Sequence, residues 1–99
     1  MIDVGTIENI VCEHFNVPVE KLRSSDKTRK VCDARHYVWY FLFEAMGYKC
    51  ATIAEWYGVT KRNVFHSNSC MKDGIRYQRF FRDNYLQIAS KLMEKEEII

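Results

Sequence analysis

Residues 52–70 read TIAEWYGVTKRNVFHSNSC, and their spacing predicts two helices that meet at a sharp angle. Ile53, Ala54 and Tyr57 line one face of a short first helix. Gly58 follows, a residue suited to the positive φ of a helix C-terminus. Val59 supplies an apolar plug in the turn. Thr60 can N-cap a second helix whose inner face carries Val64 and Met71. Ala54 is small enough for the helices to cross closely. This is the pattern of a helix-turn-helix, which lays its second helix in the DNA major groove. An ordinary αα-corner in a helical core shares the local pattern, so the flanking chain has to separate the two.

Working toward the C-terminus, the second helix is expected from Lys61 to about Gly74. Its outward residues at the N-terminal end are Lys61, Arg62, Asn63 and His66, with Ser69 further along. Arginine and lysine suit guanine, asparagine suits adenine, and histidine or serine suits phosphates or base edges. Solvated helix faces more often alternate glutamate with lysine, yet no carboxylate occurs between Glu55 and Asp73. A last helix, Arg76 to about Lys95, carries Tyr77, Phe80, Phe81, Tyr85, Ile88, Ala89 and Leu92 at helical spacing, expected as core. Glu94, Glu96 and Glu97 would face away from a polyanion.

Toward the N-terminus, Val31 to Met46 reads as the most apolar helix. Val31, Ala34, Val38, Leu42 and Ala45 form one stripe, and Tyr37, Trp39, Tyr40, Phe41 and Phe43 crowd the remaining circumference. A helix apolar nearly all round is central. Before it lies Arg23-Ser24-Ser25-Asp26-Lys27-Thr28-Arg29-Lys30, polar and without helical spacing, expected as an exposed basic loop. Charged loops are usually solvated connections. This one mixes hydroxyls with cations beside a DNA reader, a mixture suited to phosphate or minor-groove contacts. Pro18 to Leu22 reads as a short helix packing Val19 and Leu22 inward. Thr6 to Phe15 reads as a first amphipathic helix capped by Thr6, with Ile7, Ile10, Val11 and Phe15 apolar.

The whole is expected to be one all-α domain over residues 1–99, with its core in about 6–92 and about six helices. The 99 residues are 47% apolar and 14% aromatic, with one proline and four glycines, enough for a single modest core. The formal charge is only +2, but the cations gather in Lys21–Arg35, at Lys61/Arg62 and in Lys72–Arg82. Local patches attract phosphates. No leader is evident and no apolar run approaches the roughly 18 residues of a membrane span. The four cysteines lack close pairing and fit reduced thiols in a cytoplasmic protein.

In this order the parts resemble the C-terminal DNA-binding domain of the bacterial replication initiator DnaA, over roughly Thr6 to Leu92. Lys27-Thr28-Arg29-Lys30-Val31-Cys32-Asp33-Ala34-Arg35 is similar to that family's basic segment ending in Val-Ala-Arg-Pro-Arg. Val64-Phe65-His66 is similar to the Val-Leu-His of its signature, and Gly58 matches a glycine before the reader helix. The resemblance implies a helix-turn-helix fold of the Trp-repressor and DnaA C-terminal type. It implies that Lys27 or Arg29 enters the minor groove while Thr60, Lys61, Arg62 and Asn63 meet the major groove. The departures sit at the reading positions. Where the family has Gly-Arg-Asp-His-Thr-Thr before Val-Leu-His, this chain has Gly58-Val59-Thr60-Lys61-Arg62-Asn63, so the family's standard nine-base box is not implied. No GxxxxGK[ST] motif is present, so no nucleotide is expected. The apolar first helix and Met1 favour a stand-alone relative over an excised domain.

Catalysis is not expected, because no nucleophile–base pair or paired carboxylates stand out. Cys32/His36 and His66/Cys70 are i, i+4 pairs that could serve zinc, but no CxxC accompanies them, and neither metal nor cofactor is expected. The expected partner is double-stranded DNA, in replication-origin recognition or control of replication, with self-association on DNA or a replication protein as further partners. The expected contacts are Lys27, Thr28, Arg29, Lys30 and Arg35 from the loop region, and Thr60, Lys61, Arg62, Asn63 and His66 from the reader helix. A protein-interaction module or a transcriptional regulator on the same fold is the alternative.

Overall fold

In the computed structural model the described residues are 3–97, with side chains described through Lys95. The side chains of Glu96 and Glu97, and Met1 altogether, lie outside the described residues. The chain forms α1 (Val4–Phe15), a 3-10 helix (Val19–Arg23), α2 (Arg29–Glu44), α3 (Cys50–Tyr57), α4 (Lys61–Tyr77) and α5 (Arg79–Glu97). The all-helical expectation holds, with five α-helices and one 3-10 turn among the described residues. None of these helices is long and apolar enough to cross a membrane.

The centre is α2. Ala34, Val38 and Leu42 are fully buried, and Trp39, Tyr40 and Phe41 nearly so. Neighbours therefore cover it on most sides: α1 and the 3-10 helix, α3, and α4. Aromatic contacts add α5 to this surround. The Tyr37 hydroxyl donates to the Phe81 carbonyl at 3.2 Å, and the Phe41 and Tyr85 rings stack with centroids 5.1 Å apart. Ala45 and Phe43, placed in the apolar circumference by sequence, are exposed at the helix end.

Boundaries moved where a cap outweighed the apolar pattern. Helix α1 begins at Val4 because the Asp3 carboxylate, rather than Thr6, caps it, accepting from the Thr6 amide at 2.8 Å and its hydroxyl at 2.9 Å. The amide bond, with the hydroxyl bond, holds the Asp3 carboxyl below its ordinary range. Helix α2 begins at Arg29, after an extended Thr28, so Arg29 and Lys30 stand on its first turn and the loop proper is 24–28. Helix α4 runs on through Gly74, which packs on α5: a Cβ there would lie 2.9 Å from Phe81 Cδ2. Extended Gln78 then breaks the helix and resets its phase. Tyr77 and Phe80, expected in the core, are consequently 71% and 59% exposed.

One polar cluster joins three elements beneath the helix-turn-helix. Glu8 of α1 is buried; its Oε2 accepts from the Tyr57 hydroxyl of α3 at 2.6 Å and pairs with Arg23 Nη1 of the 3-10 helix at 2.8 Å. The Arg23 guanidinium also lies 4.4 Å from the Tyr57 ring centroid, and its Nε donates to the Trp56 carbonyl at 3.3 Å. Burial, then the Glu8 bond, pushes the Tyr57 phenol far above its usual range. Glu8→Ala would strand both donors. We expect a loss of about 2–3 kcal/mol, discounted for the partial exposure of Arg23, read as a lower urea midpoint at unchanged slope.

Candidate nucleic-acid interface

The turn between α3 and α4 is built as its residue types require. Gly58 has φ +66°; its N–H donates to the Glu55 carbonyl at 3.4 Å, and Val59 N–H donates to the Ala54 carbonyl at 3.0 Å. These two bonds form a Schellman motif, which satisfies the orphan carbonyls of α3. Val59 packs partly buried against the core. Thr60 caps α4, its Oγ1 accepting from the Asn63 amide at 3.2 Å. Val64 and Met71 point inward, as expected, and are joined by buried Ser67, Asn68 and Gly74.

That packing leaves Lys61, Arg62, Asn63, His66 and Ser69 exposed. The first turn of α4 holds no acidic residue, although a helix N-terminus favours negative charge. Lys61 and Arg62 thus stand at the wrong end of the helix dipole for stability. An external anion would reverse that penalty, and the free amides of the first turn point the same way.

The 24–28 loop is a built structure. Arg35 reaches back from α2, its Nε donating to the Leu22 carbonyl at 2.9 Å and its Nη2 to the Lys21 and Ser24 carbonyls at 3.0 and 2.6 Å. Ser24 Oγ donates to the Lys21 carbonyl at 2.8 Å and accepts from the Asp26 amide at 3.2 Å. The Asp26 carboxylate accepts from the Thr28 amide at 2.8 Å and pairs with Lys21 at 3.4 Å. The Thr28 bonds, chiefly, hold the Asp26 carboxyl below its usual range. With Lys21 and Asp26 paired to each other, Lys27, Thr28, Arg29 and Lys30 present outward. Arg29 Nε lies 3.9 Å from an Asp33 carboxylate oxygen while its side chain stays 86% exposed.

A cleft of about 600 Å³ separates this loop from the start of α4. It brings together four of the sequence-derived residues: Lys27, Arg35, Asn63 and His66. Thr28, Arg29, Lys30, Thr60, Lys61 and Arg62 are not in its lining and stand exposed beside it. The lining also includes His36 and Trp39, which the sequence reading did not assign to this site. The signal was available: Cys32, Arg35, His36 and Trp39 fall at i, i+3, i+4 and i+7 on α2, and all four line the cleft. The His66 Nε2 and Cys70 Sγ atoms lie 3.6 Å apart. Among the described residues no group of three or more His, Cys, Asp or Glu could hold a metal ion.

Arg35→Lys tests how the loop is held, because an ammonium cannot span three carbonyls with the guanidinium fork. We expect a loss of about 1–2 kcal/mol, with faster proteolytic cleavage within 24–28 while helical circular dichroism is kept.

A family model for the bacterial DnaA protein helix-turn-helix matches residues 4–69. The matched stretch takes in α1, the loop, α2, α3 and the first half of α4; α5 lies outside it. No curated protein matches the chain.

Proposed function

The chain belongs to the bacterial DnaA helix-turn-helix family, and on that premise we propose that it binds double-stranded DNA sequence-specifically through two adjacent grooves. The observation that carries this reading is the placement of the 24–28 loop and the N-terminal turn of α4 on the two sides of one cleft. Lys61, Arg62, Asn63 and His66 take the major groove, with Arg62 and Asn63 suited to base edges. Lys27, Arg29 and Lys30, with the Thr28 hydroxyl, take phosphates or the adjacent minor groove. Two residues act through others: Thr60 caps the helix that carries the readers, and Arg35 holds the loop that carries Lys27. The role is origin recognition or control of replication, without catalysis.

A second reading has one observation in its favour. Phe65, on the reader helix, is 64% exposed, as an apolar protein contact would require. Salt separates the two readings. Five to seven phosphate contacts predict that log K falls against log salt with a slope of about −4.5 to −6, whereas an apolar protein interface responds weakly.

Fluorescence anisotropy of the chain with a labelled duplex, at several salt concentrations, checks that slope. Lys61→Ala with Arg62→Ala should weaken duplex binding by about a hundredfold or more without lowering thermal stability, since both cations oppose the helix dipole. Wild-type affinity in that variant would sink the reader-helix assignment.

A further inference from the structure

A duplex engaged in adjacent minor and major grooves has one sugar-phosphate strand running between them. Between the loop and α4 lies the cleft just described. We propose that this cleft is a proton-linked seat for one backbone phosphodiester of the duplex, with His36 taking up the proton as the phosphate enters. The inference rests on the duplex-binding reading and adds the ligand and the linkage at its centre.

The charges around the cleft favour such an anion. Among the described residues no carboxylate lines it. Lys27 enters from the loop and Asn63 from α4, both exposed. Arg23 lines the cleft too, but its charge is already paired with Glu8. Arg35 contributes charge, with three of its hydrogen bonds spent on carbonyls of the 3-10 helix and the start of the loop. Trp39 forms part of the wall, buried, and its indole N–H has no partner among the described residues. The remaining polar lining is Ser24 and Ser25 of the loop, the Cys32 thiol, the Tyr57 phenol and two imidazoles, His36 from α2 and His66 from α4.

The His36 imidazole is placed to respond. Burial, and then the like charges of Arg35 and His66, hold His36 below the ordinary imidazole range, while Asp33 opposes them. Asp33 itself lies 3.9 Å from Arg29. From α3, Tyr57 brings a phenol whose hydroxyl donates its hydrogen bond to Glu8; the Cys32 thiol lines the same wall, and the Cys70 thiol touches His66. Asp33 brings its negative charge to His36 from outside the cleft lining. An entering phosphodiester adds negative charge within the cleft. It stabilises the imidazolium form of His36, so affinity must rise as pH falls below neutrality, and binding must take up a proton.

The full chain and a labelled duplex, at constant ionic strength, provide the test. We expect about tenfold tighter binding at about pH 5.5 than at about pH 7.5, and a dependence reduced to within about twofold in His36→Gln. Salt-sensitive duplex binding that ignores pH would overturn the linkage and leave the duplex reading standing, as would a His36→Gln variant that keeps the wild-type slope. Absence of duplex binding at every pH, even at low salt, would overturn both. A second measurement needs no variant: the His36 ring is followed by NMR through its titration. Its midpoint should rise with duplex and stay put with inorganic phosphate at matched phosphate concentration. An equal rise with inorganic phosphate would mark a free-anion site and overturn the assignment to the duplex backbone.

Discussion

A buried carboxylate needs donors, and the way Glu8 finds them ties the reading apparatus to the rest of the molecule. Its partners come from two segments distant in sequence, Tyr57 at the end of α3 and Arg23 at the end of the 3-10 helix. The first ties the helix-turn-helix to α1. The second fixes the root of the basic loop. Buried polar groups of this kind add little net stability compared with an apolar replacement. Their geometry is demanding, however, because a slipped helix would leave a charge in the interior without a partner. Both arms of the interface are thereby referred to one atom, Glu8 Oε2.

The loop shows how cations can be presented without being left loose. A flexible stretch would lose about 1–2 kcal/mol of backbone freedom for each residue ordered on binding. Here Arg35, Ser24 and Asp26 have already set the path of residues 24–28 through hydrogen bonds within the chain. Lys27 is therefore offered from a preorganised segment, and less of the binding free energy is lost to ordering. The same logic applies at α4, where Thr60 shapes the first turn before any ligand arrives.

The helix-turn-helix was legible because its determinants are local. Gly58 answers a positive φ, Thr60 answers an open helix start, and Val64 and Met71 follow helical period to the core. Elements set by distant partners were harder to read. Arg35 resembles a free cation in sequence, and only the fold supplies the three carbonyls that engage it. Tyr77 and Phe80 share a stripe with Phe81 only if one helix runs through Gln78; the break there turns them outward. Asp3 was obscured as a cap by the glycine in the first turn of α1. His36 was weighed as a possible metal ligand; the spacing on α2 groups it with Arg35 on one face, and the crossing of α4 beside that face is what only the fold supplies.

Trp39 gives the cleft an optical property. Its indole is buried among aromatic and imidazole rings, with Tyr57 at 6.0 Å and His36 at 6.1 Å between centroids. The other indole, Trp56, is 38% exposed and meets Tyr48 edge-on at 4.8 Å. The two fluorophores thus sit in unlike dielectric surroundings, one shielded and one wetted, within a single chain. Emission from the shielded ring is sensitive to charge in the cleft, while emission from the wetted ring follows the surface of α3. The molecule carries its own spectroscopic contrast between an event in the cleft and a general loosening of the fold.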